Sequence, residues 1–360
     1  MQRRLGGAVL FVVFGGAATS ASAQALPDIY TLIDVGPVPA MACPCIAAPF
    51  TVPTHRPGSG YGGSPATPGV NAPASESERQ RYAAERAVMA RDIEQGRAGD
   101  ANASLSVGMH LAQHPVIAGD DAKVEEQAAR WLHLAARQGH ADAAMFLASR
   151  YLRGRGVEQS DAAAAFWFHQ AASEGNNVAM IALGLLYAWG RGVPQDPAAA
   201  VQWWQKAQPT NTVASRFLGD AYACGLGVPQ NLARATLEYK TSADRGVVAS
   251  SIQLGHMHAN GCAEADDAAA VKAFRLAADA GYPEAQIALA ELMVQGRGGS
   301  PPGEAYLWGR IAEWRLPPGE LRTRASVTVK RASASMVPEE IAGWDRMIDA
   351  MIQEGAKPIR

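Results

Sequence analysis

The sequence predicts an all-α fold: a right-handed α-solenoid of about six helix-turn-helix repeats, with helical caps at both ends. Three columns of residues predict it. Gly154, Gly190, Gly225, Gly261 and Gly296 recur at steps of 36, 35, 36 and 35. Leu147, Leu183, Leu218, Leu254 and Leu289 keep the same steps. An aromatic column, Trp131, Trp167, Trp203, Tyr239, Phe274 and Trp308, runs beside them at steps of 34 to 36. Columns in phase mark units that bury their apolar faces only by stacking on their neighbours. The aromatic column is therefore expected in the core.

In chain order, residues 1–23 read as a segment outside the fold. Arg3 and Arg4 open it, residues 8–14 form a short apolar run, and Ala21-Ser22-Ala23 is a small-x-small cleavage site that leaves Gln24 first. That order is the grammar of a secretory signal peptide, and it predicts a periplasmic or secreted protein. The competing reading is a membrane anchor. The run at 5–18 is shorter than the roughly 20 apolar residues a bilayer requires.

Residues 24–75 hold ten of the chain's 22 prolines, together with Gly58, Gly60, Gly62, Gly63 and Gly69. Helix does not persist through that density of proline, so an extended, mostly disordered arm is predicted. Residues 29–50 are richer in Ile, Val, Leu and Cys. That stretch is suited to docking, and the solenoid's own groove is one place for it.

Helix is predicted from Glu76, with Ser75 or Ser77 as its cap and Gly96 and Gly99 closing it. Residues 76–101 thus form a lone capping helix, residues 102–315 the repeats, and residues 316–360 the C-terminal caps, the last helix starting near Pro338. The third repeat shows the grammar. Ala182, Leu183, Leu186 and Tyr187 form one apolar stripe of helical period. Gly190-Arg191-Gly192-Val193-Pro194 ends that helix, Asp196 caps the next, and Pro197 takes its first position.

Ala179, Leu183, Gly184, Tyr187, Gly190, Gly192, Val193, Pro194, Gln195 and Asp196, followed by Trp203 and Ala207, resemble the Sel1-like repeat, a relative of the tetratricopeptide repeat. The resemblance covers roughly residues 100–315 and is most specific in the second, third and fourth units. The fifth has His258 in place of tyrosine and loses the second loop glycine; the sixth has Met293 at the tyrosine position. The resemblance implies a scaffold that assembles or regulates a cell-envelope complex. Cysteine-rich relatives described as acting on penicillins carry a disulfide in nearly every unit, a pattern absent here. A cell-wall or β-lactam hydrolase is the alternative, and it requires a clustered nucleophile and base.

Composition excludes other classes. The net charge is -2, with 32 basic and 34 acidic residues and no basic stripe, so nucleic acid is not an expected partner. No other apolar run approaches membrane-spanning length. No His-Glu-x-x-His, Gly-x-Ser-x-Gly or Ser-x-x-Lys occurs, so no catalytic residue and no cofactor are assigned. The Gly-x-Gly loops have no preceding strand and read as turns rather than phosphate cradles. His256, Met257, His258 and Cys262 suggest a soft-metal site, but His256 and His258 are two apart and point to different sides of a helix, so no metal is assigned.

The cysteines are Cys43, Cys45, Cys224 and Cys262. Cys43-Pro44-Cys45 reads as a strained, reducible pair or as two arm cysteines oxidised with each other or with another chain. Cys224 and Cys262 flank equivalent turns of adjacent repeats. A Cys224–Cys262 disulfide is expected from export, against two free thiols about 10 Å apart.

The binding surface follows by subtraction from the apolar stripe. It comprises Met145, Ser149 and Arg153; Ile181, Leu185 and Trp189; Arg216, Asp220 and Cys224; Ile252, His256 and Asn260; Ile287, Glu291 and Gln295. Of these Arg153, Ile181, Leu185, Trp189, Arg216, Asp220 and His256 are the candidate partner-binding residues on the concave face. The other reading is that curvature or the arm covers them. The expected function is binding of another envelope protein or an extended peptide, without catalysis.

Overall fold

The computed structural model describes residues 76–113, 121–262, 264–299 and 301–353. The expected signal peptide and arm, with Cys43 and Cys45, lie outside them. Fifteen α-helices and no strand occur among the described residues. They are α1 Glu76–Arg97, α2 Ala101–Gln113, α3 Asp121–Arg137, α4 Ala141–Arg153, α5 Asp161–Ser173, α6 Asn177–Trp189, α7 Pro197–Ala207, α8 Thr212–Cys224, α9 Leu232–Asp244, α10 Val248–Ala259, α11 Asp267–Asp279, α12 Pro283–Val294, α13 Pro302–Arg315, α14 Glu320–Ser333 and α15 Pro338–Gln353. Helices α2 to α13 form six antiparallel pairs. The first helix of each pair packs on its own partner and on the second helix of the preceding pair. The helices form an α-solenoid in which each unit depends on its neighbours.

The repeated loop sequence has a job at each position. The first glycine takes the left-handed conformation that ends the helix: Gly154, Gly190 and Gly225 have φ of 66, 68 and 72°. The second glycine makes room. A Cβ on Gly156, Gly192 or Gly227 would lie 2.0 to 2.2 Å from the carbonyl oxygen of Glu125, Asp161 or Pro197, on the second helix of the pair before. The glutamine caps the helix just ended: Gln159, Gln195 and Gln230 each donate Nε2–H to the carbonyl seven residues earlier, at 2.8 to 2.9 Å. The last residue starts the next helix, as Ser160, Asp196 and Asn231 accept from backbone N–H three residues on. Arg191 adds a two-pronged pair to Asp161 at 2.7 and 3.0 Å, tying the loop to the preceding pair.

The aromatic column needs a correction. Trp131, Trp167 and Trp203 are only half-buried. The fully buried column is Leu132, Phe168, Trp204, Tyr239 and Phe274. Neighbouring helix residues are 100° apart, so where two aromatics adjoin, as in Trp203-Trp204, only one faces the core. The outer tryptophans stack between layers instead: His133 meets Trp167 edge-on at 5.2 Å, and His169 meets Trp203 at 5.7 Å. Lys206 sits 4.2 Å over the Trp203 ring.

Trp204, Tyr239 and Phe274 each have a glycine facing them in the first helix of their pair. A Cβ on Gly184 would stand 2.3 Å from Nε1 of Trp204; on Gly219, 2.6 Å from the Tyr239 ring; on Gly255, 2.6 Å from the Phe274 ring. These mid-helix glycines replace the residue after the column leucine. They let a large ring lie against bare backbone, and Trp204 Nε1–H donates to the Ile181 carbonyl at 3.3 Å.

Candidate functional site: the inner face of the first helices

The glycine that faces the core ring fixes the orientation of each first helix. Residues one and five positions later lie about 100 and 140° round from it. They are Leu185 and Trp189 on α6, Asp220 and Cys224 on α8, and His256 on α10 with Asn260 just past its end. Ile181, Arg216 and Ile252, three positions before each glycine, complete the band at about 60°. Met145, Ser149 and Arg153 extend it on α4.

This band is filled rather than open. Ile181, Leu185, Arg216 and Asp220 are at most 1% exposed. Arg153, Trp189, Cys224 and His256 are half-buried, and Asn260 is exposed. Ser149, Arg153, Trp189, Arg216, Asp220, Cys224 and Gln253 are all engaged in interactions. The band's apolar residues Met145, Ile181 and Leu185 belong to the same buried core cluster as Leu147, Leu183 and Phe217.

Its centre is polar and buried. Asp220 accepts a 2.6 Å hydrogen bond from the Tyr239 hydroxyl and lies 3.7 Å from the Arg216 guanidinium. Burial, with the Asp220 charge and hydrogen bond adding to it, pushes the Tyr239 phenol well above its ordinary value. Arg216 lies over the Phe217 ring, 5.1 Å from its centroid. A buried ion pair confers a fixed geometry more than net stability. Tyr239 was legible in the sequence only as a core aromatic; its hydroxyl reaches Asp220 because Gly219 brings the ring close.

His256 packs edge-on against Phe274 at 5.0 Å. Burial, reinforced by the Arg324 charge, lowers its pKa to about 4, so the imidazole is neutral at physiological pH. His258 turns elsewhere, its Nδ1 lying 3.3 Å from the Glu264 carbonyl oxygen. Among the described residues no three His, Cys, Asp or Glu side chains gather as a metal site. Cys224 and Cys262 are both in disulfides, and both pack on the cluster of Ala223, Tyr239 and Met257.

A separate cleft of about 290 Å³ lies between α1 and α2, lined by Val88, Met89, Asp92, Ser106 and His110. Asp92 accepts from Ser106 at 2.8 Å, which holds its carboxyl below the ordinary range. No described helix is long and apolar enough to cross a membrane.

Comparison with curated protein sequences found no match. Among solved structures, the chain is similar to c5321, "a protective antigen present in uropathogenic Escherichia coli strains displaying an SLR fold". The identity is 25% and the TM-score 0.58, over 73% of this chain and 64% of that one, so this chain spans less than two thirds of that protein. A Sel1 repeat protein from Oxalobacter formigenes matches at 24% identity and a TM-score of 0.54, over 68% of this chain and 96% of that one, a likeness of fold. The Sel1 repeat family matches residues 118–140, 141–176, 177–207, 212–246, 248–282 and 283–312. The first segment covers α3 alone and the other five follow the pairs from α4 to α13; together they span more than half of the chain, which therefore belongs to the Sel1 repeat family, whose members are generally protein-interaction scaffolds.

Proposed function

We propose that the chain is an exported, non-catalytic scaffold that holds another envelope protein, or an extended peptide, along the band formed by α4, α6, α8 and α10. One observation carries this reading. Successive first helices carry half-buried charged and aromatic side chains along the edge of one continuous band: Arg153, then Trp189, then His256. Tryptophan and arginine are the types that dominate binding energy at interfaces. Trp189 lies outside every repeated column, although its ring also packs on the core cluster. Arg153 supplies charge at the edge of the strip.

Export rests on the signal grammar of residues 1–23 and is tested by the N-terminus of the mature protein, expected at Gln24. The binding role is tested by affinity capture from an envelope fraction, under oxidising and reducing conditions, with the full chain and its Trp189→Ala variant as baits. The expected result is a protein held by the first and lost by the second, with the helical circular dichroism of the two baits the same. Equal capture by both baits would move the binding surface off this strip.

A further inference from the structure

The N-terminal end of the stack is left open. The Gly99-Asp100-Ala101 turn after α1 matches Gly139-His140-Ala141 after α3, so α1 has the register of a second helix. In that register Ala84, Val88 and Asp92 stand where Val124, Ala128 and Leu132 stand on α3. The three α3 residues are 0 to 2% exposed. The first helix of their pair, α2, lies on them: a Cβ on Gly108 would stand 3.0 Å from the Leu132 side chain. No described helix does this for α1, whose principal helix neighbour is α2 alone. Ala84 is accordingly exposed and Val88 is 48% exposed. The cleft of about 290 Å³ runs between them and Val107 and His110 of α2. It lies where the first helix of α1's own pair would pack.

We propose that this seat is filled by α1 of a second copy of the chain, giving a two-fold dimer joined at its N-terminal ends. Three observations single out a second copy. First, α1 carries acidic and basic residues in equal number, so a copy laid antiparallel meets it without net repulsion. Second, Ala84, Ala87 and Ala90 are exposed beside Val88, and small residues let two helices approach closely around one larger side chain. Third, the other end of the solenoid offers no helix for a head-to-tail join. There α14 and α15 both pack on α13, and Ile348 is 1% exposed. The outer residues of those helices include Arg322, Lys330, Arg331, Glu339 and Asp349. That is the polar cap a solenoid end needs, and α1 lacks it at Val88. An isologous joint covers both open seats at once and closes the assembly at two chains. One particle then carries two binding bands, which a partner with two binding segments can engage together.

Sedimentation equilibrium of the full chain over the micromolar range tests the joint, with Val88→Glu, Ala84→Glu and Phe166→Glu as variants. Wild type should show the mass of two chains, falling toward one on dilution. Phe166→Glu, on the outer face of α5, should do the same. Val88→Glu and Ala84→Glu should each show one chain throughout, with the helical circular dichroism of wild type, since both side chains are exposed in the single chain. A wild type that is monomeric at every concentration overturns the proposal and leaves the cleft to another ligand or to none. A dimer that survives both glutamates overturns it as well, and masses beyond two chains would replace the closed joint by an open one. Dimers that persist on a non-reducing denaturing gel would assign the contact to cysteines instead. The measurement needs no captured partner, so its failure and that of the scaffold reading are distinguishable.

Discussion

Single residues set the sign of several effects. Alanine at an open mid-helix glycine stabilises by up to about 1 kcal/mol. Gly343→Ala on α15 should do so, since a Cβ there meets nothing within 4 Å. Gly184→Ala should do the opposite and cost about 1–3 kcal/mol, because its Cβ would overlap Trp204. Urea unfolding of the two variants checks this, and stabilisation by both would show that the ring moves freely. Trp204→Ala should cost about 3–5 kcal/mol, and Trp203→Ala well under half of that, since only Trp204 is fully buried. His256 gives a pH dependence. Its pKa is about 4 in the fold against 6.5 when free, so the unfolded chain takes up the proton first. Its contribution is complete above pH 6.5 and is lost as pH falls toward 4, at most about 3 kcal/mol. In His256→Gln the decline in melting temperature between pH 6.5 and 4 should be shallower than in wild type; an identical decline would assign it to other groups.

At the scale of elements, the loop couples one pair to the next. Gly192 has φ of 70°, and a Cβ on it would lie 2.1 Å from the Asp161 carbonyl oxygen. Gly192→Ala should therefore loosen the junction of α5 and α6, at a cost of about 1–3 kcal/mol. Hydrogen exchange should quicken in the first turn of α5 more than within α7. A uniform change along the chain would contradict a local coupling. In the loop, the helix-ending glycine and the capping Asp196 were legible in the sequence, whereas the glutamine that caps the helix just ended and the clearance made by Gly192 were not, because both depend on backbone groups brought near only by folding. The aromatic column was legible only to within one residue. A period read from identity aligns Trp131, Trp167 and Trp203, whereas burial selects the residue after each. Two adjacent aromatics satisfy the same period, and only the facing glycine tells them apart. The strip residues follow no period, so the sequence located them by subtraction but did not show Asp220 meeting Tyr239, or the strip filled.

For the whole molecule, a solenoid of six pairs offers a long inner strip and little else that is shaped for a ligand. Folding does not explain the concentration of buried charge on that strip at Arg216 and Asp220. An apolar pair of similar volume would often serve stability as well. The most direct test places a photoreactive amino acid at position 189, on the strip, or at position 166, where Phe166 is 61% exposed on the outer side. Irradiation is carried out on cells producing the full chain. Adducts to a second protein from position 189 and none from position 166 are predicted. Adducts from position 166 alone would place binding on the outer face and contradict the account.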